Sequence, residues 1–488
     1  MTEDADGKTL SLLQPESRGG DTAQGGFSFQ EQIILARIPL WLSKDGFTAM
    51  TQESIGDAEA KFFVPGHGFA VELVEAKDHP LTPAEFWSRV KRFQEVDSGS
   101  PGTYRWFTIA SAGLSQSLRP LVNGLPRVRD ACEFYEDGTV VKDRSYDDYV
   151  QIVRSLDHDE QDARFLFDKV SIEANLSTAR SHGEALFRQS LVAHLPEYQD
   201  LSSRTLGTIY ANLGTFVRGR RNQPISRREL ETNLREKIDP ERIPPLRPVS
   251  IYTSIQDEDD FGSPDLRFNW AAFFGGETRS FPPPERWNQQ LLGELEETRD
   301  WIIRHRATRR IRLKGNRRLS ASLAVGSVFS AVAGFLIEVD YRGETWSTAA
   351  HPTSTTPSYP LILRTAGDRG ERLVVTVGIL KDIVPEVESN LESHGLAGMP
   401  RLHMMGKGAI TSPEHANIVV RAIKDSISEA LVRTGSKQAH LFFAGPAFLA
   451  LFLGHRLNAT SPVQCYEWVS VGRYVPTCLL FSTTTDSK

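Results

Sequence analysis

At 488 residues, with 40% hydrophobic and 24% charged residues, the chain has the make-up of a folded protein too long for one core; at roughly 100–200 residues per domain it holds two to four of them. A formal net charge of −6 excludes a generally basic nucleic-acid coat protein but leaves local basic patches free to bind phosphate. The three cysteines, Cys132, Cys465 and Cys478, form no CxxC pair and no Cys/His cluster, which argues against a disulfide scaffold and for a reducing cytoplasm.

In chain order, residues 1–24 are polar, acidic and rich in Gly and Ser, and read as a disordered tail rather than a signal peptide. "FSFQEQIILARIPLWL" repeats apolar positions at helical spacing (Phe29, Ile33, Ile34, Ile38), which predicts an amphipathic helix. "AEAKFFV" and "FAVELVEAK" are β-rich and joined by Pro65-Gly66-His67-Gly68, the signature of an antiparallel hairpin. In "TPAEFWSRVKRFQEV", Thr82, Pro83 and Glu85 form an N-cap, a first helical position and a capping box. "YRWFTIASAG" reads as a buried strand, and residues 125–238 as mainly helical and charged, with a start signal at Ser226. Residues 239–285, rich in Pro, Asp and Gly, are expected to be a linker.

Strands and helices alternate through 286–488, the pattern of a Rossmann-like layered fold. "RLVVTVGIL" and "QAHLFFAG" are strands, and "RLHMMG" is read as a strand edge. "TSPEHANIVVRAIKDSISEALVRTG" is a helix with a capping box from Thr411 to Glu414 and an apolar face of Val419, Ile423, Ile427 and Leu431. No apolar run reaches the ~20 residues needed to span a bilayer, since Gly445-Pro446 interrupts "LFFAGPAFLALFLG"; no membrane partner is expected.

Two constellations carry chemistry. Glu75 and Lys77 stand two apart on the second hairpin strand, so both emerge on one face. Asp57 precedes the first strand, and the hairpin brings the three together. Phosphodiester hydrolysis needs carboxylate oxygens to hold a divalent metal and a lysine to orient water. The alternative is a surface ion pair, and "EAK" occurs twice, at Glu59–Lys61 and Glu75–Lys77. The second copy is preferred because an apolar strand (Val71, Leu73) carries it. In the second constellation a strand runs through Ala444-Gly445-Pro446 straight into a helix, whose free N–H groups suit a phosphate; the alternative is a buried strand–helix turn. "RHRATRRIRLKGNRR" places eight Lys/Arg between Arg304 and Arg318.

The order helix, acid, strand, acid-x-Lys, helix resembles the PD-(D/E)xK restriction-endonuclease-like superfamily over Gly25 to about Gly113, although Gly56 replaces the usual proline before Asp57. That resemblance implies magnesium, or manganese, on Asp57 and Glu75, with the Ala76 carbonyl as a further ligand. Lys77 would position the attacking water, and Gln30 or Glu31 would complete the site. The stretch "HLFFAGPAFLALFLGHRLNATSPVQCYEWVSVGRYVP", with "RRIRLKGNRRLSASLAVGSVF", "GETWST" and "MMGKGAITSPEHA", resembles the SAVED sensor domain of two fused Rossmann-like (CARF-like) units. Members bind cyclic oligonucleotides, with cyclic trinucleotides favoured here, and assemble on binding. Pocket candidates are Lys314 and Lys407 for phosphate, Ser320 and Ser322 for base or phosphate, Phe329 and Trp346 for stacking, and Gly445 and Pro446 at the turn. Both Phe329 and Trp346 also suit a core.

The expected protein is a mixed α/β restriction-endonuclease-like domain (25–238, with helical extension) followed by a linker (239–285) and a SAVED domain (286–488). Its expected function is that of a CBASS antiphage effector: a cytoplasmic, ligand-activated, metal-dependent endonuclease that homo-oligomerises and cuts double-stranded DNA with little sequence preference. The alternative is a non-catalytic cyclic-nucleotide-binding scaffold with a degenerate nuclease fold. A metabolic Rossmann enzyme ranks last, because no dinucleotide fingerprint is present.

Overall fold

The computed structural model describes residues 15–256, 266–276, 279–458 and 460–481. The chain forms two compact units, residues 1–63 with 68–245 and residues 64–67 with 246–488.

The first unit runs α1 (Pro15–Ser43), β1 (Phe47–Gln52), β2 (Ala58–Val64), β3 (Gly68–Leu81), α2 (Pro83–Gly99), β4 (Tyr104–Leu114), α3 (Arg119–Phe134), α4 (Val140–Arg154), α5 (Glu160–Lys169), β5 (Val170–Glu173), α6 (Arg180–His194), α7 (Ser203–Arg218), β6 (Ile225–Ser226) and α8 (Arg227–Glu236). The strands form one mixed sheet in the order β5-β4-β3-β2-β1-β6. Strand β4 lies parallel to β3, as the intervening helix α2 requires. One face of the sheet packs on α1, α6, α7 and α8 through residues such as Ile34, Ile38, Phe187 and Leu213. The other packs on α2 to α5 through Phe86, Phe93, Leu121 and Leu166. Helix α2 starts as the sequence predicts: Thr82 accepts from the Glu85 amide, and the Glu85 side chain reaches back to the Thr82 amide. Ser226 caps α8 by the same device.

The second unit continues with β7 (Val249–Ser254), β8 (Leu266–Asn269), α9 (Pro284–Arg286), a π turn (Trp287–Leu292), α10 (Gly293–His305), β9 (Arg310–Gly315), α11 (Leu319–Val328), β10 (Leu336–Tyr341), β11 (Glu344–Ser347), β12 (Leu361–Ala366), β13 (Arg372–Ile379), α12 (Val384–Glu388), β14 (Arg401–Gly406), α13 (Pro413–Thr434), β15 (Gln438–Ala444), α14 (Ala447–Arg456), β16 (Val463–Ser470) and β17 (Arg473–Leu480). Two sheets result, β11-β10-β9-β7-β8 and β12-β14-β13-β15-β16-β17. The first is parallel except for β11 at one edge, and the second has a parallel centre with antiparallel β12 and β17 at its edges, the build of two fused Rossmann-like halves. Helix α11 follows β9, α14 follows β15, and the two pack backbone to backbone. A Cβ added to Gly326 would stand 2.1 Å from the Leu451 carbonyl oxygen, and one on Gly454 2.2 Å from that of Leu323.

Several expectations change. The predicted tail lies outside the described residues as far as 14, but residues 15–24 belong to α1, with Pro15 at its first position where a missing N–H costs nothing. The predicted linker contains β7 and β8, whose alternating Val249, Ile251, Leu266 and Phe268 are buried; the surrounding prolines hid that alternation. Strand β14 is not an edge, because β12 and β13 pair with it on either side. The cap of α13 is Ser412, accepting from the His415 amide, one residue later than the predicted box. No described helix is long and apolar enough to cross a membrane.

Candidate functional site

The hairpin places Asp57, just before β2, beside Glu75 and Lys77 in the middle of β3, which stays paired with β4 as far as Leu81 and does not leave the sheet after Lys77. Asp57 is fixed by backbone pairing, its amide donating to the Val74 carbonyl at 3.0 Å. Its Oδ2 accepts from the Ala76 amide at 2.6 Å and its Oδ1 from Gln30 Nε2 of α1 at 2.8 Å. Lys77 Nζ lies 3.3 Å from Glu75 Oε2 and 3.9 Å from Asp57 Oδ2, so it bridges the two carboxylates. Burial pushes the Asp57 carboxyl above its usual range, opposed by the Ala76 amide and the Lys77 ammonium. A carboxylate desolvated in this way favours a neighbouring cation.

Of the two α1 candidates, Gln30 joins the site, whereas Glu31 pairs with Arg218 of α7. Sequence reading missed two further members, Arg92, 3.6 Å from Glu75 Oε1, and Arg89, 3.9 Å from Glu75 Oε2. They sit three apart on α2 and so share a face, a signal visible only once α2 is known to cover this face of β3. Among the described residues no group of three or more His, Cys, Asp or Glu converges to hold a metal. Asp57 and Glu75 present carboxylate oxygens, hard donors of the kind that suits magnesium or manganese.

The preceding acid of β3, Glu72, faces the opposite side. It is buried and accepts from Arg37 at 2.7 Å, Trp41 at 2.8 Å and Thr108 at 2.9 Å. This network anchors α1 to the sheet and so positions Gln30. The look-alike pair is spent elsewhere: Glu59 accepts from Tyr104 at 2.8 Å, and Lys61 Nζ lies 3.9 Å over the Phe69 ring.

In the second unit the pocket candidates separate. Lys314 is exposed at the end of β9, and Lys407 is exposed just beyond β14. Lys407 lines a cavity of about 240 Å³ with Arg364, Thr376, Lys381 and His403. The His403 ring bonds Thr376 Oγ1 at 2.8 Å and lies 3.3 Å from Glu388, and burial lowers its pKa. Gly445 and Pro446 are half-buried and precede α14, whose N-terminus has no side-chain cap. Ser320, Ser322, Phe329 and Trp346 are all buried. Phe329 packs on Phe335, and Trp346 on Tyr341 and Phe448, so both rings are core. The α11 start is already occupied, since Glu467 accepts from the Ser320 amide at 3.0 Å.

Arg317 is the residue that sequence reading passed over in favour of Lys314. It follows Gly315, whose φ of +79° and Cβ position 2.1 Å from the Thr253 carbonyl oxygen admit only glycine. Beyond that turn Arg317 is half-buried and, among the described residues, donates to the Gly315 carbonyl at 3.4 Å and to Thr253 Oγ1 at 3.5 Å. Burial lowers its pKa to about 10, and no carboxylate pairs with it among the described residues.

Comparison with known proteins agrees with this division. Residues 294–480 match the SAVED family, "SMODS-associated and fused to various effectors sensor domain". CD-NTase-associated protein 4 of Moraxella osloensis is 26% identical over 473 residues, covering 97% of this chain and 99% of the relative. Its counterpart in an Acinetobacter species is 26% identical over 478 residues, with the same coverage. The structure of the Moraxella osloensis Cap4 SAVED/CARF-domain containing receptor superposes with a TM-score of 0.78 at 25% identity, covering 93% of this chain and 99% of that one. The Acinetobacter baumannii Cap4 receptor with the cyclic trinucleotide 2'3'3'-cAAA superposes with a TM-score of 0.80 at 24% identity, covering 93% and 98%. The chain thus carries, over residues 294–480, a stretch that matches the SAVED sensor domain, and is similar along almost its whole length to CD-NTase-associated protein 4.

Proposed function

We propose that the chain is a CBASS effector nuclease in which a cyclic oligonucleotide bound by the SAVED domain switches on metal-dependent cutting of double-stranded DNA. The observation that carries this reading is the meeting of Asp57, before β2, with Glu75 and Lys77 on β3, in a chain whose residues 294–480 match the SAVED sensor domain. Asp57 and Glu75 would hold the metal, and Gln30 and the Ala76 amide fix the Asp57 carboxylate for that task. When bound, a divalent ion neutralises phosphate charge and acidifies water. Lys77, held between the two acids, would donate to the attacking water and orient it toward phosphorus.

Lys381 and Lys407, which line one cavity, and Arg317 of the other half are the groups proposed for the ligand's phosphates. The cyclic trinucleotides seen with the Acinetobacter receptor make this ligand class the first to try. A cavity of about 240 Å³ is smaller than the roughly 300–1,000 Å³ that encloses a drug-sized ligand. A cyclic trinucleotide would thus leave surface for a second copy, which supports ligand-driven assembly. A chain of net charge −6 binds DNA weakly by itself, so assembly would supply the missing phosphate contacts.

The test mixes the protein, magnesium and plasmid with a panel of cyclic di- and trinucleotides. One ligand should trigger cutting that EDTA stops. Intact plasmid with every ligand, at concentrations where the protein assembles, would overturn the reading. Ligand binding without EDTA-sensitive cutting would leave the scaffold alternative.

A further inference from the structure

The Glu75 side chain is only 4% exposed, yet three cationic heads converge on it: Lys77 at 3.3 Å, Arg92 at 3.6 Å and Arg89 at 3.9 Å. With Asp57 included, two acids face three bases, a local balance of +1 before any metal arrives. A divalent ion ligated by Glu75 would meet the guanidinium groups at the same oxygens, so the arginines and the ion compete. The arginine side chains are 34% and 43% exposed. They can swing while Phe86, Trp87, Val90 and Phe93 keep α2 on the sheet. Arg92 also donates to the Ile55 carbonyl, two residues before Asp57. This second hold would keep its guanidinium beside Asp57 after Glu75 is released. A guanidinium fork there matches two non-bridging oxygens of a phosphodiester.

We propose that Arg89 and Arg92 are exchangeable counter-ions, which neutralise Glu75 in the metal-free protein and pass to the DNA phosphate when a divalent cation takes their place. This rests on the nuclease reading of the same site. It makes the arginines substrate-binding groups that also delay metal entry.

The test uses the full chain and a readout without cutting. Mn2+ binding is measured by titration calorimetry, and binding of a short DNA duplex is measured in Ca2+ at low salt. The double variant Arg89→Ala/Arg92→Ala should bind Mn2+ about tenfold more tightly, the effect of removing two partly exposed ion pairs. It should bind duplex about tenfold more weakly, with a log–log salt slope shallower by about 1 to 2. Arg89→Lys/Arg92→Lys should recover the slope but not the full affinity, because the fork is lost. Unchanged or weaker Mn2+ binding in the alanine variant overturns the proposal, as does unchanged duplex binding or a wild type that binds no duplex. If the wild type binds no Mn2+, or Glu75→Gln binds it equally well, the nuclease reading itself fails.

Discussion

Lys77 and Lys61 occupy the same three-residue motif on adjacent strands, and their neighbours give them different prospects. Lys77 sits between two carboxylates, whereas Lys61 lies over Phe69 and its partner acid Glu59 is bound to Tyr104. Lys77→Ala should abolish plasmid cutting, by 100-fold or more on the ~2.7–4 kcal/mol scale of removing one preorganised donor, and leave ligand binding unchanged. Lys61→Ala should cut as the wild type does, and equal cutting by Lys77→Ala would refute its role. Asp57 carries a separate prediction. Its folded pKa lies above the unfolded value of 3.8, so the folded state binds more protons in the window between the two. Stability is therefore lost as pH rises through that window, and at neutral pH the ionised Asp57 weakens the metal-free protein. Asp57→Asn should raise the metal-free melting temperature while abolishing Mn2+ binding; a lower one would contradict the sign. The Gln30 amide can turn to accept from the new amide, so the bond between α1 and the site survives. The triad was legible because Asp57 and Lys77 are only 20 residues apart and a hairpin joins them. Arg89, Arg92 and Arg317 were not, because their partners, or lack of them, are set by packing between elements.

The contact of α11 with α14 decides whether the second unit holds together. Gly326 and Gly454 let the two backbones meet, and neither neighbour can yield because each is a carbonyl. Gly454→Ala should destabilise the unit by several times the ~1 kcal/mol of an ordinary substitution, seen as a fall in thermal midpoint and loss of ligand binding. His455 on α14 is fully buried, its Nδ1 2.7 Å from the Phe329 carbonyl oxygen, and its pKa falls to about 4. The unfolded chain takes up this proton near 6.5, so between about 6.5 and 4 the unfolded state binds more protons. Stability should fall as pH drops through that window, by up to about 1.4 kcal/mol per unit. His455→Gln should flatten the dependence seen in denaturant titrations at pH 7 and pH 5; an unaltered slope would sink the assignment. Elements with local signals were readable, among them the hairpin, the boxes at Thr82 and Ser226, and the α13 face. Strands β1, β6, β7 and β8 were not: each is a short run, and β6 and β7 pair with strands distant in sequence, β1 and β9.

For the whole molecule, the central question is whether sensing and cutting can be separated, and Arg317 offers the cleanest handle. Its guanidinium is half-buried and pairs with no carboxylate among the described residues, which leaves it able to capture a ligand phosphate. Arg317→Met keeps the length of the side chain and removes the half-buried charge, so the metal-free thermal midpoint should stay level or rise. Affinity for the activating cyclic oligonucleotide should drop about 10- to 150-fold, the worth of one hydrogen bond to a charged group at ~1.5–3 kcal/mol. Mn2+ binding at Asp57 and Glu75 should not change, because those residues belong to the other unit. Cutting should then return at proportionately higher ligand concentration, with the wild-type maximum. A variant that binds ligand normally would remove Arg317 from the sensor. One that binds weakly yet cuts without ligand would show that the SAVED domain restrains the nuclease, and that the ligand releases that restraint instead of assembling the active form.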